Sequence, residues 1–141
     1  MNKSIVLLVF ILLSGLISRS QSVSVEIKLD NRIIFQDTSD NKDKIPVLVS
    51  ISNRKKPRVL EFLFTELETN VWFYRNLQIS DIDENQLFNK DSITSVKILL
   101  KQLKKLANSR KELQVYSTIT PKDKTIAIRM KRQYICTLKL P

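Results

Sequence analysis

The chain has no histidine, one glycine and one cysteine among its 141 residues. Each shortage removes a kind of chemistry. Without histidine, neither a Ser-His-Asp nor a Cys-His nucleophile of the usual kind can be built. With Cys136 as the lone thiol, ordinary nitrogen and sulfur ligands for zinc cannot be assembled. The glycine, Gly15, lies in the N-terminal apolar run, so no glycine-rich loop can bring backbone against a phosphate. Nucleotide, dinucleotide and zinc sites are thereby excluded, and no cofactor or metal site is expected. A lone cysteine also precludes any disulfide within the chain. In the apolar segment "YICTLKL" it reads as a small buried residue, with pairing to another chain the alternative.

What survives is carboxylate chemistry, and its traces are thin. "DTSDNKD" (37–43) is rich in oxygens but lacks the glycine and closing glutamate of a calcium loop, so it reads as an acidic connection. Asp81, Asp83 and Glu84 could supply the two carboxylates of a hydrolase, although such clusters are more often solvated turns. The chain is therefore expected not to be an enzyme, with a carboxylate-dependent hydrolase as the minor alternative.

Turning to what is present, Lys3 precedes a run from Ile5 to Ile17 that is apolar apart from Ser14 and Gly15. A polar "SRSQS" follows. This is the pattern of a secretory signal peptide over 1–20, cleaved after Ser20 or Ser22. A spanning helix would need about 20 apolar residues. The protein is expected to be secreted or periplasmic, with residues 23–141 forming a single β-rich domain.

Charge is unevenly spread. Residues 23–89 hold nine basic and eleven acidic side chains, whereas 90–141 hold thirteen basic and three acidic. The net charge of +10 thus comes from the last third and the leader. Such asymmetry suits an anionic partner, or a basic half facing its own acidic half.

Alternation predicts most of the chain to be strand. "VSVEIKL" (23–29) puts Val23, Val25, Ile27 and Leu29 on one face, and Asp30-Asn31 then separates it from "RIIFQ" as a two-residue hairpin. Asparagines stand at other element ends (Asn53, Asn70, Asn85, Asn89, Asn108), where a chain without glycine needs residues that tolerate positive φ. Further strands are expected in "PVLVSIS" (46–52), "RVLEFLFTEL" (58–67, strand favoured over helix), "NVWFYRNLQI" (70–79), "LQVYSTIT" (113–120), "TIAIRM" (125–130) and "YICTLKL" (134–140). A break is expected near 131–133, where Arg132 would fall on the apolar face.

"ITSVKILLKQLKKLANS" (93–109) reads as the one amphipathic helix, spanning 92–109 and capped by Asp91 or Ser92. Ile93, Val96, Leu99, Leu100, Leu103, Leu106 and Ala107 fall within about 140° of arc, and Lys97, Lys101, Lys104 and Lys105 within about 100° on the other side. Ile98 fits neither face. The leucines would pack on the sheet, and the lysines would be solvated or bind anions at a membrane surface. Nucleic acid is not expected, for want of a reading motif. Trp72 and Tyr74, two apart on a strand, share a face that could stack a sugar or simply pack.

The expected fold is mainly β: an immunoglobulin-like sandwich of about seven short antiparallel strands with the 92–109 helix. An α+β antiparallel sheet covered by one helix is the alternative. "VSISNRKKP" (49–57) and "NVWFYRNLQIS" (70–80) resemble two strands of immunoglobulin-like exported bacterial domains, including periplasmic pilus chaperones. The likeness stops at those two segments, which lie closer together here than in the chaperones, and no function is carried over from it. The expected role is a non-catalytic binding or structural module of the cell envelope with an unknown protein partner. The alternative is a peripheral binder of anionic membranes or polyanions using Lys97, Lys101, Lys104 and Lys105.

Overall fold

The alternating start of the domain becomes its first strand, with every second side chain buried. The computed structural model describes residues 23–38, 48–51, 58–66, 73–91, 93–125 and 132–141. The expected leader, Trp72 and most of the 125–130 segment lie outside these. Among the described residues run nine strands and one helix: β1 (Val23–Leu29), β2 (Arg32–Thr38), β3 (Leu48–Ser50), β4 (Val59–Glu66), β5 (Phe73–Ser80), β6 (Gln86–Lys90), β7 (Ser95–Leu99), α1 (Leu100–Ala107), β8 (Glu112–Pro121) and β9 (Gln133–Lys139).

They form two sheets, ordered β2-β1-β4-β7 and β3-β9-β8-β5-β6. Pairing is antiparallel except for β3, which runs parallel to β9. The mainly β sandwich with one helix is thus present. Its strand order is immunoglobulin-like: β4 beside β7 matches strands B and E, and β6-β5-β8-β9 matches C′, C, F and G. Seven of the nine described strands fall on segments expected to be strand, whereas β6 and β7 lie in segments read as loop and helix.

The β1–β2 turn shows how the chain manages without glycine. Asp30 and Asn31 both take positive φ, at 50° and 68°, which a two-residue turn matched to strand twist requires. Asp30 also bolts the turn to the next strand of the sheet. Its carboxylate accepts from the Val59 N–H at 3.0 Å and from Arg58 Nε at 2.7 Å.

The core lies between the sheets. Ile27, Leu60 and Phe62 from one sheet and Leu77, Ile79, Leu113, Val115 and Leu138 from the other are fully buried. Cys136 is buried among them. β9 starts only at Gln133, and its register with β8 shifts between Val115 and Tyr116, so Arg132 stays out of the core.

The expected helix over 92–109 needs correction. Ser95–Leu99 is strand β7, and the helix is only Leu100–Ala107. The capping residue is Leu99, without a side-chain bond, and not the expected Asp91; Ser92 lies outside the described residues. The β-branched residues of "ITSVKI" favour strand, and β7 pairs with β4 through Phe62↔Val96 and Leu60↔Ile98. Ile98, misplaced on the helical reading, points into the core on the strand. Leu100, Leu103 and Ala107 bury the apolar side of α1, and Asn108, at φ 45°, ends it in the left-handed region.

Candidate functional site

Three groups of polar residues stand out: the basic helix, a buried aspartate loop, and the outer face of the five-stranded sheet. The four lysines read as one cationic face divide between two elements. Lys97 sits on β7 and meets Glu61 of β4 at 3.6 Å. Lys101 and Lys105 project from α1 into solvent, and Lys104 is half-buried. Among the described residues, Lys101, Lys104, Lys105 and the nearby Lys111 have no carboxylate at ion-pair distance, whereas Lys28, Arg58, Arg75, Lys97, Arg110 and Arg132 each have one. The helix presents no acid in its first turn and has Lys104 and Lys105 in its last, where the dipole favours cations.

The three carboxylates considered for hydrolysis do not act together. Asp81 is fully buried at the end of β5. Its Oδ1 accepts from the N–H groups of Asp83 (3.0 Å) and Asn85 (2.8 Å). Its Oδ2 accepts from Asn85 Nδ2 (2.9 Å) and forms an ion pair with Arg110, whose Nε lies 3.0 Å away. The Asn85 amide leads the effects that hold the carboxyl below its ordinary range. The Asn85 N–H, the Arg110 charge and the Asp83 N–H add to it, against burial that raises it. Asp83 is exposed. Glu84, at φ 64°, pairs with Arg132 at 3.0 Å. Asp81 thereby ties the β5–β6 turn to the segment that follows α1.

The two sheets differ on their outer faces. On the four-stranded sheet, Glu26, Lys28, Glu61 and Lys97 occupy central outward positions, with Lys28–Glu26 at 3.5 Å and Lys97–Glu61 at 3.6 Å. On the five-stranded sheet the positions of β5 facing away from the core are Tyr74, Asn76, Gln78 and Ser80, and those of β8 from 114 on are Gln114, Tyr116, Thr118 and Thr120. None is charged, and of these Asn76, Ser80 and Tyr116 are buried. Asn76 Nδ2 donates to Thr118 Oγ1 (3.3 Å) and Thr120 Oγ1 (2.6 Å), fixing both hydroxyls. Tyr116 meets Tyr134 edge-on at 5.8 Å, and the Arg132 guanidinium lies 3.8 Å above its ring. Tyr74, 44% exposed, has Lys122 Nζ 5.2 Å from its ring centre. Of the aromatic platform expected at Trp72 and Tyr74, the described residues include Tyr74 alone, and it does lie on the outer face.

Sequence reasoning missed the Asn76–Thr118–Thr120 cluster and the Tyr116–Tyr134–Arg132 stack. The signal for half of it was legible, since "QVYSTIT" repeats polar and aromatic residues at every second position. That they join Asn76 depends on the β5–β8 register, Asn76↔Thr118. An interior charge was also missed. Arg75 is buried between the sheets, 3.1 Å from Glu66 and 2.9 Å from Ser117 Oγ, with its guanidinium 5.9 Å from the Phe64 ring centre.

No protein-family model, no curated protein and no solved structure matches the chain.

Proposed function

We propose that the protein is an exported, non-catalytic binding module of the cell envelope, secreted or periplasmic, that engages a partner through the outer face of its five-stranded sheet. One observation carries this reading: a chain of net charge +10 keeps the outward positions of β5 and most of β8 free of charge. Tyrosine, amide and hydroxyl groups give contact area and hydrogen bonds without the desolvation cost of ions, which is the composition that binding surfaces favour. The fixed Thr118 and Thr120 hydroxyls add pre-organisation. Engagement of Asp81 in three hydrogen bonds and an ion pair with Arg110, and of Glu84 with Arg132, supports the non-catalytic part of the reading.

The test compares the two faces within one protein. Thr118→Lys should release the protein from the envelope fraction of the producing cell, or abolish its cross-links there. Ser95→Lys, on the opposite face, should leave both unchanged. Equal behaviour of the two variants would refute the assignment of this face. Export is checked by the N-terminal residue of the mature protein, expected to be Gln21 or Val23. Val23 is already the first residue of β1, paired with Glu66, so either cut leaves the sheet whole.

A further inference from the structure

The structure separates the two sides of α1. Its apolar side (Leu100, Leu103, Ala107) is consumed by the core and cannot insert into a bilayer. Its outer side holds Lys101 and Lys105, and it carries something the helical reading of the sequence placed inside. Leu106 is 40% exposed, and Leu99, at the cap, is 42% exposed. Two of the six large apolar residues exposed among the described ones therefore flank Lys101 and Lys105, which have no carboxylate at ion-pair distance among the described residues.

We propose that this end of the sandwich is a peripheral docking site for an anionic lipid bilayer. Lys101, Lys104, Lys105 and Lys111 meet the headgroup phosphates, while Leu99 and Leu106 reach the interfacial layer. Charge complementarity selects the partner. The lysines lie within one eight-residue helix and the turn after it, a span of roughly 15–20 Å that matches a flat field of lipid phosphates. The exposed leucines distinguish a bilayer from a soluble polyanion, because only the bilayer offers them an apolar layer. This attachment leaves the five-stranded sheet face available, so it adds to the binding role and does not depend on it.

The experiment is co-sedimentation of the purified protein, in the processed form the cell yields, with phosphatidylcholine vesicles with or without about 30% phosphatidylglycerol. Binding should need phosphatidylglycerol and fall away as salt is raised from about 0.05 M to about 0.5 M, where the screening length shrinks below a headgroup spacing. Lys101→Gln with Lys105→Gln should lower partitioning at least about 10-fold, with an unchanged thermal midpoint. Leu106→Ser should lower it roughly 3- to 10-fold while leaving retention on heparin unaltered. Equal binding to both kinds of vesicle, wild-type binding by the lysine variant, or a Leu106→Ser protein that binds vesicles like wild type would each overturn the proposal. In the last case the site serves a soluble polyanion instead.

Discussion

The outer faces of the two sheets share one core and follow opposite chemical rules. The four-stranded sheet sets acids and bases beside one another, Glu26 with Lys28 and Glu61 with Lys97. The five-stranded sheet sets tyrosine, amide and hydroxyl groups in the same kind of positions. Charged positions keep a sheet hydrated and discourage stacking against other surfaces. Where β5 and β8 lack them, polar groups bond to one another instead, as Asn76 does with Thr118 and Thr120, and the cations that reach this face, Arg132 and Lys122, lie over the Tyr116 and Tyr74 rings. The difference teaches that hydrophilicity alone does not mark a solvent face: ion pairs exposed to water hold little energy and depend on salt, whereas the amide–hydroxyl cluster is geometrically fixed.

Removing what the faces share should have the largest effect. Phe62 is fully buried beneath the charged face, so Phe62→Ala should cost about 3–5 kcal/mol and appear as a lowered denaturation midpoint reported equally by probes on either sheet. Separate transitions for the two sheets would show that they are not one cooperative core.

Next comes Asp81, beneath the turn that joins β5 to β6. Its carboxyl is held below the ordinary range when folded, so its contribution is complete above the unfolded value of about 3.9 and is lost as pH falls through the lower folded value. Asp81→Asn should lower the thermal midpoint near neutral pH by roughly 10 °C and flatten the loss of stability below about pH 4. A variant that keeps the wild-type acid slope would assign that slope to other groups.

The smallest effects compare the faces directly. Asn76→Ala removes the bonds to Thr118 and Thr120 from the five-stranded face and should cost about 1–2 kcal/mol, independent of salt. Glu61→Gln with Lys97→Gln should cost less than about 1 kcal/mol, vanishing at high salt. Denaturant midpoints at low and high ionic strength measure both, and a reversed order would erase the distinction drawn between the faces.

Local patterning by itself determined the β class, the β1 face, the glycine-free turn at Asp30-Asn31 and the buried place of Cys136. These depend on side-chain alternation and on φ preferences, which neighbours along the chain settle. The residue that fitted neither side of the supposed 92–109 helix, Ile98, already carried the evidence for β7. What it lacked was a partner, and Leu60 supplied one from β4, 38 positions away in the sequence. Tertiary structure alone decided where "ITSVKIL" stops being strand and "LKQLKKLA" becomes helix, because pairing with β4 outweighs a helical period that both halves can satisfy. It also parted Lys97 from Lys101, Lys104 and Lys105, left Leu106 in solvent, and brought Asn76 to Thr118. Each of these rests on which strand lies next to which, and a period of 2 or 3.6 along one segment holds no information about its neighbour.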